Sequence, residues 1–375
     1  MSTFVMLMLF AISYVPTLII IAVTPYITRK TEVFGVSIPK EEQFNPEIMK
    51  IKKEYLKRTL LLGGLLCAVS LLMVLFTPND IAFLFLPVGT LLLLVIMYAF
   101  YLRSHNKVKS LKSEMRWMND RAQIVMVDTG FRNKRVMASP LWFGLYALVI
   151  TITIVLNYAM YDTLPGKIPM HWNIRGEVDR WVTKSYKALL FVPAVQAFMT
   201  IIMVYSYWLI GKSKQAIDPA SPEISTEQNR RFRYRWSLYM IITGLVLLIM
   251  FGAMQLFTFG LIKNQWVIMG LPLVVGLGIA LSSIILSLTT GQGGSRLYIK
   301  KTGDAAESKV VRRDEDKYWK LGLFYFNPDD PSFIVEKRFG IGWTNNWARP
   351  ISWVLTIGLI VFIIGFTVIT AILAE

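Results

Sequence analysis

An all-α polytopic membrane protein is the fold class the sequence predicts, with about eight transmembrane helices, both termini outside, and a small β-hairpin-containing cytoplasmic segment near the C-terminus. Three observations predict it. Of 375 residues, 54% are hydrophobic and 17% charged, with a mean hydropathy of +0.50; a soluble chain carries roughly 25% charged residues. Eight apolar runs have the roughly 20 residues that a helix needs to cross a hydrocarbon core. The basic residues also sort by segment. Residues 27–58, 103–140, 211–235 and 289–350 hold eight, nine, six and eleven of the 40 Lys and Arg, whereas 162–185 holds four and 258–265 one.

Lys and Arg accumulate in segments that are not translocated, so this asymmetry assigns the four basic segments to the cytoplasm and both termini to the outside. It also accounts for the formal charge of +16 without a nucleic-acid partner. The single Cys67 excludes a disulfide framework, and two distant histidines, His105 and His171, argue against a histidine-rich metal site.

The expected spans are about 4–26, 59–77, 81–102, 141–161, 186–210, 236–257, 266–288 and 351–373, none with a central charge. In lipid a helix satisfies every backbone polar group within its own segment. The first run lacks a basic flank and a small-residue cleavage site, so it reads as a retained helix. The five regions are 1–140 (three helices, two basic loops), 141–210 (helix–loop–helix), 211–295 (two helices and the loop before them), 296–350 (an aromatic cytoplasmic hairpin domain) and 351–375 (the last helix). Trp142, Trp208, Trp236 and Trp353 fall at expected cytoplasmic helix ends, and Tyr158, Tyr161, Tyr186 and Trp266 at outer ends, as an interfacial aromatic belt requires.

In the first basic segment, turn-like pieces surround Gly35 and Pro39. A helix then begins at Pro46, with Asn45 as N-cap and Glu47 behind it. In the second, His105 is expected to be solvated, and Ile124 to Val127 followed by Asp128-Thr129-Gly130 reads as strand and turn. In the third, Pro219 and Pro222 break helix, and Arg230, Arg231, Arg233 and Arg235 form a stop-transfer cluster. Gly291 to Ser295 reads as a helix stop, since the Lys-Ser/Thr ending of a phosphate-binding loop is absent. In 296–350, two β-type runs flank Asn327-Pro328-Asp329-Asp330-Pro331, which reads as a hairpin turn. Trp319, Phe324, Tyr325, Asn327, Asp329, Asp330, Lys337 and Arg338 are the candidate surface for a cytoplasmic protein partner.

The segment 161–187 concentrates polar and aromatic chemistry between two spans. His171, Glu177 and Asp179 are metal-ligand types, but their spacing is not that of a catalytic metal helix. His171 oriented by Asp179 is a chemically sound base, yet no matching nucleophile accompanies it. Pro165, Pro169, Gly166 and Gly176 suit a rigid lid, with Asn173 and Asp179 bonding loop amides and Arg175 and Arg180 pairing with carboxylates. A rigid polar-aromatic surface also suits ligand binding, for which His171, Trp172, Asn173, Gly176, Glu177, Asp179, Arg180 and Trp181 are the candidates. No catalytic residue, cofactor or metal is assigned.

The residues Leu164, Pro165, Ile168, Pro169, His171, Trp172, Asn173, Gly176, Asp179, Trp181 and Lys184 form a pattern L-P-x-x-I-P-x-H-W-N-x-x-G-x-x-D-x-W-x-x-K. It resembles the signature of a bacterial membrane domain of unknown function that is also found in SdpI-type immunity proteins, and covers roughly 141–210. The stretch 319–346 resembles a second small domain of unknown function that accompanies the first in some Bacillus-type proteins. The resemblance implies a cell-membrane protein that protects against a secreted membrane-active toxin and holds a transcriptional repressor through its cytoplasmic loops.

Together these readings lead us to expect a non-enzymatic protein of the bacterial cytoplasmic membrane. It binds or senses an extracellular peptide or toxin through 162–185, with Asp162, Glu177 and Asp179 attracting a cationic ligand. Its partners are the lipid bilayer, that peptide and a cytoplasmic protein. One alternative is a small-solute transporter kinked at Pro87, Pro193 and Pro272, with Asn157, Gln196 and Gln255 along a polar path. A second is a membrane enzyme using His171.

Overall fold

In the computed structural model, which describes residues 3–77, 79–118, 123–124, 135–172, 178–262, 265–300 and 311–373, the apolar runs are helices. In chain order these are α1 (Thr3–Ile27), α2 (Pro46–Phe76), α3 (Asn79–Glu114), α4 (Gly144–Ala159), the single turn α5 (Tyr186–Leu189), α6 (Phe191–Lys212), α7 (Pro222–Thr258), α8 (Gln265–Thr290) and α9 (Pro350–Leu373). Among the described residues seven helices are long and apolar enough to cross a membrane, and α1 adds a shorter apolar stretch at Ile12–Ile27. Large apolar side chains stay exposed along them: Leu61 at 64%, Leu91 at 64%, Ile152 at 47%, Val274 at 70% and Val361 at 62%. Patches of that size are untenable in water. They are the lipid face of a membrane protein.

The helices form two groups, α1–α2–α3 and α4–α6–α7, joined by α8, which packs on both α1 and α7. Helix α9 lies outermost against α6, where Phe198 stacks on Phe362 and Phe366 at 5.2 and 3.9 Å. With no hydrophobic gain in lipid, helices hold together by close packing and polar ties. Tyr14 Oη meets Ser70 Oγ at 2.8 Å, and a Cβ on Gly89 would lie 1.8 Å from that tyrosine oxygen, so only glycine fits there. Tyr146 donates to the Ile241 carbonyl at 2.7 Å, Gln196 Nε2 to Leu248 at 2.9 Å and Asn157 Nδ2 to Leu189 at 2.6 Å. Asn157 and Gln196 thus commit their amide nitrogens to interhelical ties. Helices α3 and α8 continue through Pro87 and Pro272. Pro193 sits in the first turn of α6, where a missing N–H costs nothing.

Three helices outrun their apolar parts at one end, and that end gathers the basic segments. Asn45 Oδ1 accepts from Glu47 N at 3.0 Å, so α2 begins at Pro46 as its sequence requires. Pro222 likewise starts α7 rather than ending one, and the arginine cluster rides on that helix. Strands β1 (Glu32–Val33) and β2 (Val36–Ser37) form a hairpin over Phe34 and Gly35, both at positive φ (48° and 78°). Strand β3 (Gln123–Ile124) pairs in parallel with β6 (Val311–Arg312); the expected continuation through Val125 to Gly130 lies outside the described residues.

The segment 311–349 departs from the expected single hairpin. It contains two: β7 (Trp319–Lys320) with β8 (Phe324–Tyr325), and β9 (Ile334–Glu336) with β10 (Trp343–Asn345). The Asn-Pro-Asp-Asp-Pro stretch joins them instead of turning one of them. The tight turn falls within the three residues Leu321 to Leu323, where Leu321 and Gly322 both have positive φ, 54° and 69°. Asn346 holds the joining stretch, donating from Nδ2 to the carbonyls of Asn327, Asp330 and Ser332 at 2.9, 3.2 and 3.0 Å. The two tight turns meet tip to tip: a Cβ on Gly35 would lie 2.5 Å from the Gly322 carbonyl oxygen. Tyr101 Oη reaches the carbonyls of Phe34 and Leu321, each at 3.2 Å. His105 is 8% exposed with Nδ1 2.8 Å from the Phe34 oxygen, so the expected solvated histidine is a buried one. The β1–β2 turn covers it.

Candidate ligand-binding site

The segment 161–187 is a β-hairpin at the opposite end of the helices. Strand β4 (Lys167–Trp172) pairs antiparallel with β5 (Val178–Thr183), with Ile168 opposite Val182 and His171 opposite Arg180, and irregular register around Met170. Period-2 alternation turns Ile168 inward, where it is 1% exposed against Leu164, Leu189 and Phe259. The base is clamped. Lys184 Nζ donates to the carbonyls of Tyr161 and Leu164 at 3.1 and 3.0 Å, and its ammonium lies 4.8 Å from the Tyr161 ring centre. Tyr186 stacks on Tyr161 at 4.0 Å and on Tyr158 at 5.1 Å. Ser185 Oγ caps α5 at Ala188 N, 3.1 Å away.

Above that base His171 Nδ1 lies 2.6 Å from Asp179 Oδ1 across the two strands. The carboxylate fixes the ring, placing a proton on Nδ1 and leaving Nε2 as the outward acceptor when the imidazole is neutral. The side chains are 64% and 42% exposed. An exposed pair of this kind contributes roughly 0–1 kcal/mol to stability, so the fold does not depend on it. Arg180 and Trp181 are exposed beside it, Trp181 at 53%. Asp179 thus bonds His171; the loop amides expected as its partners lie outside the described residues. Among the described residues Arg180 forms no ion pair. Trp172 ends β4; Asn173, Arg175, Gly176 and Glu177 lie outside the described residues. The hairpin therefore brings together His171, Asp179, Arg180 and Trp181 of the expected set.

The expected cytoplasmic partner surface is for the most part interior. Trp319, Tyr325, Asn327, Asp330 and Arg338 are 8%, 1%, 6%, 6% and 3% exposed, whereas Phe324, Asp329 and Lys337 are exposed. Of the two turn carboxylates, Asp330 is taken up by a basic residue of a neighbouring segment. Lys214 Nζ meets Asp330 Oδ2 at 2.6 Å, Tyr325 Oη donates to the same oxygen at 2.9 Å, and Asn327 Nδ2 donates to Tyr325 Oη at 2.9 Å. Arg338 pairs with Asp316 and lies 5.1 Å over the Trp319 ring. Lys112 bonds Asp314 and Asp316, each at 2.6 Å. Burial would raise the Asp316 carboxyl, but Arg338 and Lys112 outweigh it and hold it at about 2. Burial likewise opposes Asp330, and Lys214 keeps it below the usual carboxylate range.

At the centre of this body is Glu336, which the sequence did not single out. It pairs with Arg29, accepts from Asn229 Nδ2 at 2.5 Å, and lies 3.9 Å from Arg233. Arg233, 2% exposed, donates to the α6-end carbonyls of Ile210 and Ser213 at 3.0 and 3.1 Å. A residue expected as a stop-transfer charge is a buried crosslink. No motif marks Glu336, one of eight Asp and Glu among the 11 Lys and Arg of 289–350. No group of three or more metal-ligating side chains occurs among the described residues.

Two parts of the chain are similar to known families. Residues 148–197, from α4 through the hairpin into α6, match a domain of unknown function (DUF1648), and residues 328–353 match a family of unknown function (DUF5808). No curated protein and no solved structure matches the chain.

Proposed function

We propose that this protein is a multi-pass protein of the bacterial cytoplasmic membrane that binds or senses an extracellular peptide through the 162–185 hairpin. Its four basic segments form the cytoplasmic body that passes the signal on. The observation carrying this reading is the exposed His171–Asp179 pair, held at 2.6 Å over a clamped base. Such a pair does little for folding and much for recognition: an oriented imidazole, a carboxylate, Arg180 and Trp181 on one rigid support. Asp162 and Asp179, both exposed, suit a cationic peptide. The orientation rests on the basic bias and on those segments meeting at the end away from the hairpin. Immunity of the SdpI type is the biological role that the sequence resemblance favours.

Two observations weigh against the transporter and enzyme alternatives. The buried amides Asn157 and Gln196 tie helices together, and among the described residues no hydroxyl is bonded to His171.

The test is survival of cells lacking the protein under a panel of secreted membrane-active peptides, with wild-type, His171→Ala and Asp179→Asn genes returned. The expected result is rescue by wild type alone at equal membrane abundance. Equal rescue by all three removes the site, and unchanged survival across the panel removes the immunity role.

A further inference from the structure

Between α2 and α3, where both leave their apolar runs, lies an open groove of about 560 Å³ lined by Glu54, Arg103, Asn106, Lys107 and Ser110 among others. A second hollow continues it toward the apolar part and shares Glu54, Arg103 and Lys107, adding Arg58. Three cations, Arg58, Arg103 and Lys107, and one carboxylate, Glu54, face the second hollow, which is the mouth toward the apolar part. The wider groove adds Lys50 and the carboxylates Glu47 and Glu114, with Lys50 3.9 Å from Glu47. Glu54 engages two of them, Lys107 at 2.9 Å and Arg58 at 3.8 Å. Among the described residues Arg103 has no ion-pair partner. Asn106 and Ser110 are exposed and supply neutral hydrogen-bond donors.

What lies next to the mouth decides the occupant. One and two turns beyond Arg58 on the same face of α2 stand Leu61 and Leu65, 64% and 58% exposed. On α3, Leu92 stands eleven residues before Arg103 and within about 20° of it round the helix, 48% exposed, with Val95, 58% exposed, about 80° round. A cationic polar mouth opening onto a continuous apolar strip matches a molecule with an anionic head and hydrocarbon chains. A free anion would leave the strip unused.

We propose that the Arg58–Arg103–Lys107 mouth is a binding site for the phosphate headgroup of an anionic membrane lipid, whose acyl chains lie along Leu61, Leu65 and Leu92. Lys107 and Arg58 bind the phosphate in place of part of their contact with Glu54, and Arg103 supplies the uncommitted charge. Basic pockets between helices at a membrane boundary bind such headgroups by summed charge and local donors. The site is independent of the outer hairpin and of the chain's orientation.

The full-length protein, delipidated in detergent, is titrated with phosphatidylglycerol and phosphatidylcholine of identical chains, and adducts are counted by native mass spectrometry. Wild type is expected to prefer phosphatidylglycerol on the order of tenfold. Arg103→Gln should cut that preference severalfold and Arg103→Lys should keep most of it. Glu54→Gln, which releases Lys107 and Arg58, should raise it, an effect that misfolding cannot produce. Equal binding of the two lipids, or a preference unmoved in both Arg103→Gln and Glu54→Gln, overturns the proposal. Displacement of phosphatidylglycerol by excess inorganic phosphate alone overturns the lipid as the source.

Discussion

Charge placement separates two kinds of residue in this molecule. Glu336 is 3% exposed and pairs with Arg29, so Glu336→Gln removes the counter-charge that a buried guanidinium bonds directly, leaving only the more weakly interacting Glu32 and Asp218. A broken buried pair costs about 3–5 kcal/mol; thermal unfolding of the detergent-solubilised protein should shift sharply downward, whereas Asp329→Asn, at an exposed position, should leave it within about 0.5 kcal/mol. His171→Ala belongs with the second kind: unfolding should move by no more than about 1 kcal/mol while peptide-dependent survival is lost. The sequence made His171 and Asp179 legible because both stand in one short motif and their chemistry is complementary. Glu336, Asn229 and Arg233 were illegible because their partnership depends on contacts across more than a hundred residues, which no local pattern records. His105 failed for the same reason: its cover, the Phe34 turn, comes from another segment.

At the level of elements, periodicity and caps served the helices well. The aromatic hairpins were half legible: strand propensity was visible, but the Asn-Pro-Asp-Asp-Pro stretch outweighed the quieter Leu321-Gly322 turn. That turn tests the reassignment. Gly322 has φ of 69°, and a Cβ there would meet Tyr101 Oη at 2.4 Å, so Gly322→Ala should destabilise the hairpin pair by about 1–3 kcal/mol. Loss of protection in amide exchange confined to the two meeting turns would show it; unchanged protection would place the turn elsewhere. The Asp316 cluster gives a pH dependence. Its folded carboxyl sits at about 2 against an ordinary 3.8, so the contribution, about 2 kcal/mol, is fully present above pH 3.8 and disappears as pH falls through 2. Lys112→Met removes one of the two cations, and acid unfolding followed by tryptophan emission should then begin at higher pH.

Across the whole molecule, two helix groups bridged by α8 carry a clamped hairpin at one end and a crosslinked basic body at the other. Seven of the eight expected spans are helices long and apolar enough to cross a membrane, and the first has only a shorter apolar stretch among the described residues. The seven were legible because lipid imposes length and polarity rules on each segment separately. The assembly of four basic segments into one body was not, since sequence shows them as loops. In the proposed orientation the hairpin faces outward and this body faces the cytoplasm. In a Cys67→Ala background, single cysteines at Thr183, exposed on β5, and at Lys53, exposed on the basic extension of α2, report the two ends. A membrane-impermeant maleimide applied to intact cells should label Thr183→Cys at once and Lys53→Cys only after permeabilisation. Labelling of Lys53→Cys in intact cells, with Thr183→Cys protected, would reverse the orientation.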